Sequence, residues 1–202
     1  MITSCAFEFE EYLQVVQSFH GYAAPGVIIG GFMVNLGKGH LSEKTPFRAI
    51  CETTVCLPDA IQLLTRCTIG NNRLKILNFG RFALSLYDQN RGNGFRVFLD
   101  PKRIDEWSEI KCWFFKLKPK AEQNMELLMA QIKKAGETLC DIHPVQVRPG
   151  LLKKEERGEI VICPCCHEAY PAEERGVCRG CQGESPYTVT VLPERHVEAS
   201  ET

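Results

Sequence analysis

Apolar residues in the N-terminal segment recur at intervals of three and four. Phe9, Leu13, Val16 and Phe19 fall on one stripe, which predicts an amphipathic helix over residues 7–19. Residues 25–36, in the most apolar stretch of the chain, predict a second helix. Pro25 suits its first turn, and Gly26, Gly30 and Gly31 let another backbone come close. Residues 47–55 mix apolar and β-branched side chains and predict a strand, and Leu57-Pro58-Asp59 opens a short helix reaching about Leu64. Three further strands are expected at 73–77, 82–87 and 95–99, joined by Asn78-Phe79-Gly80 and by Asn90-Arg91-Gly92-Asn93-Gly94, whose composition is that of turns. Met125, Leu128, Met129 and Ile132 line one side of a helix expected over 120–139. Strands in meander order with helices before and after them predict an α+β core with flanking helices.

Composition narrows the function classes. The chain has 202 residues, 44% hydrophobic and 24% charged, near the globular average. Its formal net charge of -1 gives no overall attraction to nucleic acid or an anionic membrane. The apolar stretch around 23–36 carries Pro25 and three glycines and is shorter than the roughly 20 residues of a membrane span. The N-terminus has acidic residues where a secretory signal has basic ones, so a cytoplasmic setting is expected. There the 11 cysteines serve as thiols or metal ligands rather than disulfides.

Five of those cysteines crowd between Cys163 and Cys181. Cys163-x-x-Cys166 and Cys178-x-x-Cys181 form two knuckles that can direct four thiolates at one tetrahedral zinc. A closed site of that kind is structural, and in so small a segment the metal supplies most of the folding free energy. Cys165 and His167 fall outside the pairing. A redox dithiol lacks its usual helical context here, and rubredoxin-type iron shares the same spacing. Five basic and seven acidic residues between Leu151 and Glu184 repel phosphates, which favours protein contact over nucleic-acid binding. The expected organisation is a core at 1–142, an extended linker at 143–158 around Pro144, Pro149 and Gly150, and a zinc-ribbon or zinc-finger module at 159–202. The tail at 187–192 alternates like an added strand.

Three further segments are unusual: His20-Gly21-Tyr22-Ala23-Ala24-Pro25-Gly26 with Gly30; Glu52-Thr53-Thr54-Val55-Cys56-Leu57-Pro58-Asp59-Ala60-Ile61-Gln62; and Thr65-Arg66-Cys67-Thr68-Ile69-Gly70-Asn71-Asn72-Arg73-Leu74. In this order, followed by Asn78-Phe79-Gly80 and Phe95-Arg96-Val97, they resemble the FmdE family, named for a component of molybdenum or tungsten formylmethanofuran dehydrogenase. The cysteine module resembles the zinc finger that many members carry. The resemblance implies an α+β core, a C-terminal zinc domain and a homodimer, which the Cys112-Trp113-Phe114-Phe115 run, expected at the surface, would also suit. It further implies a core site at His20, Tyr22, Cys56, Asp59, Cys67 and Thr68, able to take a second metal or a small ligand. Tyr22 and Ala24 stand where the family has a histidine and a cysteine, so two candidate ligands are absent.

Five of these six candidates also have an ordinary reading: His20 as a helix-end histidine, Cys56 as packing, Asp59 as a first-turn carboxylate, Cys67 and Thr68 as the end of a helix. Three functions follow. The chain is a metal-binding accessory or a cofactor- or substrate-binding protein for molybdenum and tungsten enzymes, with oxidoreductase subunits as partners. Alternatively it is an interaction scaffold with a degenerate core site, or an enzyme using a cysteine and a histidine.

Overall fold

The structure is a computed structural model that describes residues 7–42, 45–153, 158–172 and 176–187. It divides into two compact units, Met1–Lys153 and Lys154–Thr202.

In the first unit, α1 (Phe9–His20) begins at a capping box between Glu8 and Glu11 and ends at Gly21, whose φ of 91° is left-handed. Tyr12 and Val16 are buried against α2 (Pro25–Gly39) with Phe9 and Leu13 beside them, while Phe19, expected on the same stripe, is exposed. α2 is apolar on all sides and runs through the middle of the core, buried from Pro25 to Asn35. Close approach is what its glycines provide. A Cβ at Gly30 would stand 2.6 Å from the Cβ of Ala60, and one at Gly31 would stand 2.5 Å from the Tyr12 ring.

The sheet has the order β2-β1-β3-β4-β5. β1 (Phe47–Cys51) pairs antiparallel with β3 (Ala83–Asp88), β3 with β4 (Asn93–Leu99), and β4 with β5 (Cys140–Gln146). β2 (Leu74–Ile76) does not join the antiparallel run. It pairs parallel with β1, Ala49 opposite Leu74, because α3 (Leu57–Leu64) carries the chain across the sheet between them. The result is a mixed sheet in an α+β fold. One face packs on α2; on the other, Ile50, Tyr87 and Val147 form a smaller cluster covered by Leu151 and Leu152 of α7 (Pro149–Leu152).

Two expectations change. Residues 143–146, read as linker, are the second half of β5, and Pro144 is tolerated because β5 is an edge strand. The helix expected over 120–139 is a 3₁₀ turn (Lys120–Glu122), α6 (Met125–Ala135) capped by the Asn124 side chain, and a second 3₁₀ turn (Gly136–Leu139). Before it come α4 (Pro101–Ile104), capped by Asp100, and α5 (Ser108–Phe114). Trp113 and Phe114 are not a surface run: both pack edge-on to Phe82, at 6.5 and 6.4 Å, leaving Phe115 and Leu117 exposed.

The second unit pairs β6 (Ile160–Ile162) with β7 (Ala169–Pro171) in a hairpin, followed by a helical turn at Gly180–Glu184. The strand expected at 187–192 lies, beyond Tyr187, outside the described residues.

Candidate metal centre and ligand cleft

The hairpin loop brings Cys163 and Cys166 together, and the turn at Gly180–Glu184 brings Cys178 and Cys181 to the same place. All four sulfurs lie within 4.8 Å of one another, the one such group of three or more potential metal ligands among the described residues. Four sulfurs bonded to one zinc at about 2.3 Å stand about 3.8 Å apart. The Cys166 and Cys178 sulfurs are 3.7 Å apart, the spacing that two thiolates on one zinc would have. The Cys178 backbone N–H donates to the Cys163 sulfur at 3.4 Å. Such donors, that of Cys166 foremost, pull the Cys163 thiol down to about 6, toward the thiolate that zinc requires. Cys163, Cys166, Cys178 and Cys181 hold a structural zinc, and Cys165 is exposed beside them.

The core residues divide into two places. Cys56 caps the N-terminus of α3 with φ 59° and ψ −50°, a conformation rare outside glycine. Gly26 makes room for it, since a Cβ there would meet the Cys56 Cβ at 2.8 Å. Together with Tyr22, Ala24, Trp113, Lys120 and Met125, Cys56 lines an open cleft of about 630 Å³. Burial pushes its thiol up, the nearby Asp59 adds to this, and Lys120 opposes it. His20 Nδ1 lies 2.6 Å from Asp59 Oδ2, so the end of α1 is tied to the first turn of α3. The His20 ring also tilts against Tyr22 at 5.1 Å. Four of the six candidates, His20, Tyr22, Cys56 and Asp59, therefore gather at one end of α3.

Cys67 and Thr68 do not. Cys67 lies beyond the other end of α3, a helix about 12 Å long by its eight residues. It is buried, its thiol pushed up by burial and donating to the Phe47 carbonyl at 3.6 Å. Thr68 exchanges hydrogen bonds with Asn71: its N–H donates to Asn71 Oδ1 at 3.0 Å and its hydroxyl accepts from the Asn71 N–H at 3.1 Å. Both residues shape the loop into β2. The thiols of Cys51 and Cys140, pushed up by burial to about 11 and about 12, are protonated packing groups.

Sequence reading passed over Glu52. It is 5% exposed and receives Arg96 through two bonds, 2.7 and 2.9 Å, with Arg81 at 2.7 Å. The Arg96 guanidinium holds its carboxyl below the usual range. It opens one of the unusual segments, but its ion pairs are not legible there, because its partners come from another strand and a turn. The lysines at 116, 118 and 120 were also missed; they enter the cleft from the segment between α5 and α6.

Comparison with known proteins places this geometry. A family model described as "FmdE, Molybdenum formylmethanofuran dehydrogenase operon" matches residues 19–147, and one for an FmdE treble clef zinc finger matches residues 154–188. A crystal structure of an FmdE-like protein of the tungsten formylmethanofuran dehydrogenase kind, from Syntrophus aciditrophicus, is 48% identical. It superposes with a TM-score of 0.82 over 90% of this chain and 96% of that one. A protein of Archaeoglobus fulgidus named "Probable S-adenosyl-L-methionine-binding protein" is 30% identical over 99 residues, 45% of this chain; the chain spans 27% of that relative's length.

Proposed function

Because the chain belongs to the FmdE family, we propose that it is a zinc-stabilised accessory protein whose core cleft binds a small organic ligand, serving molybdenum or tungsten enzymes of the formylmethanofuran dehydrogenase kind. The observation that carries this reading is the 630 Å³ cleft in which Tyr22, Cys56 and Trp113 meet. Its size is that of sites for cofactor-sized molecules, and its lining is aromatic and apolar with a few polar groups. Tyr22 and Ala24 offer no imidazole or thiolate, and His20 is committed to Asp59, so the residues present favour an organic ligand over a second metal. The zinc belongs to the other unit, where it replaces the apolar core that so short a segment cannot build. A cytoplasmic homodimer with oxidoreductase subunits as partners is part of the same reading.

Two measurements test it. Elemental analysis is expected to find one zinc per chain; two tightly held metals per chain would move the core back to metal chemistry. Native mass spectrometry of gently purified protein is expected to retain a small molecule that Trp113→Ala releases. If the molecule is retained equally by that variant, the cleft is not its site.

A further inference from the structure

We propose that the cleft at the Cys56 end of α3 selects a planar organic anion, its flat part against Tyr22 and Trp113 and its acidic group beside Lys116 and Lys120. This rests on the cleft being the ligand site and adds the ligand's chemical class. The three lysines enter from one short segment, and among the described residues no carboxylate lines the cleft. The carboxylates behind it are engaged: Glu109 takes Lys118 at 3.4 Å, and Asp59 takes His20. Among the described residues no carboxylate pairs with Lys116 or Lys120. Lys120 Nζ stands 5.4 Å from the centre of the Tyr22 ring, which holds the ammonium at the aromatic wall.

The backbone supplies an independent observation. Among the described residues four that are not glycine have positive φ, and two of them, Cys56 at 59° and Lys116 at 54°, line this one cleft. Lys116 follows the last turn of α5, where its N–H donates to the Trp113 carbonyl at 3.3 Å and glycine would be the relaxed choice. Strain of this kind gathers at ligand sites, where the side chain's position matters more than the backbone's comfort. Beside an apolar wall an anion is attracted more strongly than in open water. A sulfonium such as S-adenosylmethionine would meet repulsion.

The test uses the full zinc-loaded chain carrying Trp107→Phe, so that Trp113 is the single tryptophan reporter. The probes share one ring system: 1-anilinonaphthalene-8-sulfonate is an anion and N-phenyl-1-naphthylamine is neutral. Energy transfer from Trp113 is expected for both, with the anion bound about tenfold more tightly and weakened about tenfold by Lys116→Glu with Lys120→Glu, the neutral probe unchanged. Lys116→Gly separates binding from folding: it is expected to raise the melting temperature while weakening the anion. Displacement by 1-naphthyl phosphate against 1-naphthoate distinguishes a phosphate from a carboxylate ligand. Equal binding of both probes, insensitive to charge reversal, overturns the anion class and leaves the ligand cleft standing. Stronger displacement by S-adenosylmethionine than by either acid also overturns the class. No energy transfer from Trp113 with either probe overturns the cleft itself.

Discussion

At the scale of single residues, Glu52 and Cys56 have opposite burdens. Glu52 is a buried charge that stays ionised only because Arg96 and Arg81 hold it. Its folded-state carboxyl lies below the ordinary 4.5, so its contribution to stability is present above that pH and is lost as the pH falls through the folded value. Urea midpoints measured downward from pH 6 are therefore expected to hold until about pH 4.5 and then decline, a decline that Glu52→Gln flattens. Glu52→Ala should cost about 3 kcal/mol near neutral pH, since it strands Arg96 partly out of water. Cys56 instead carries backbone strain, and Gly26 is the space that permits it. Gly26→Ala is expected to destabilise by about 2 kcal/mol. Adding Cys56→Gly should recover much of that loss, because it removes both the clash and the left-handed penalty; additive losses in a double-mutant cycle would refute the coupling.

Among the secondary-structure elements, the packing of α2 on α3 decides where the cleft is. Gly30 faces Ala60 and Leu57, and a Cβ there would meet the Ala60 Cβ at 2.6 Å with no flexible side chain to yield. Gly30→Ala should therefore push the two helices apart and cost about 3 kcal/mol, more than a helix-propensity gain of about 1 kcal/mol returns. Since Cys56 caps α3, the same variant is expected to weaken probe binding in the cleft. A melting temperature equal to that of the parent would show that the contact yields easily. The bond from His20 to Asp59 ties α1 to the same helix end, so three helices set one mouth.

For the whole molecule, the two compact units have different sources of stability. The first buries an apolar core on both faces of its sheet. The second has Cys163 and Tyr170 as its buried hydrophobic side chains among the described residues and depends on its four thiolates. Chelation of zinc, or Cys178→Ala, is accordingly expected to abolish hydrogen-exchange protection in the cysteine module while the thermal transition of the core stays within a few degrees. A shared collapse of both would mean that the core relies on the metal. Light scattering at micromolar concentration is expected to give the mass of a homodimer, and the 22.8 kDa of a single chain would remove it.

The metal site was legible from the chain alone because its chemistry is local: each Cys-x-x-Cys turn fixes two sulfurs within four residues, and only the meeting of two turns remains to be arranged. Helices α1, α2 and α3 were legible for a similar reason, as their apolar spacing and first-turn residues act over one or two turns. Long-range pairing was not. Pro144 made β5 look like a linker, and only its place at the sheet edge, where a missing N–H is harmless, makes it a strand. Cys56 and Cys67 looked like partners in one pocket until α3, standing between them, sent one to the cleft and the other to the core. The lysines of the cleft carry no local signal, since their meaning depends on Tyr22 and Cys56, distant in sequence, arriving opposite them. Local rules set the first three helices and the zinc ligands; the cleft exists only where three separate segments converge, and their convergence is decided by packing of the apolar core.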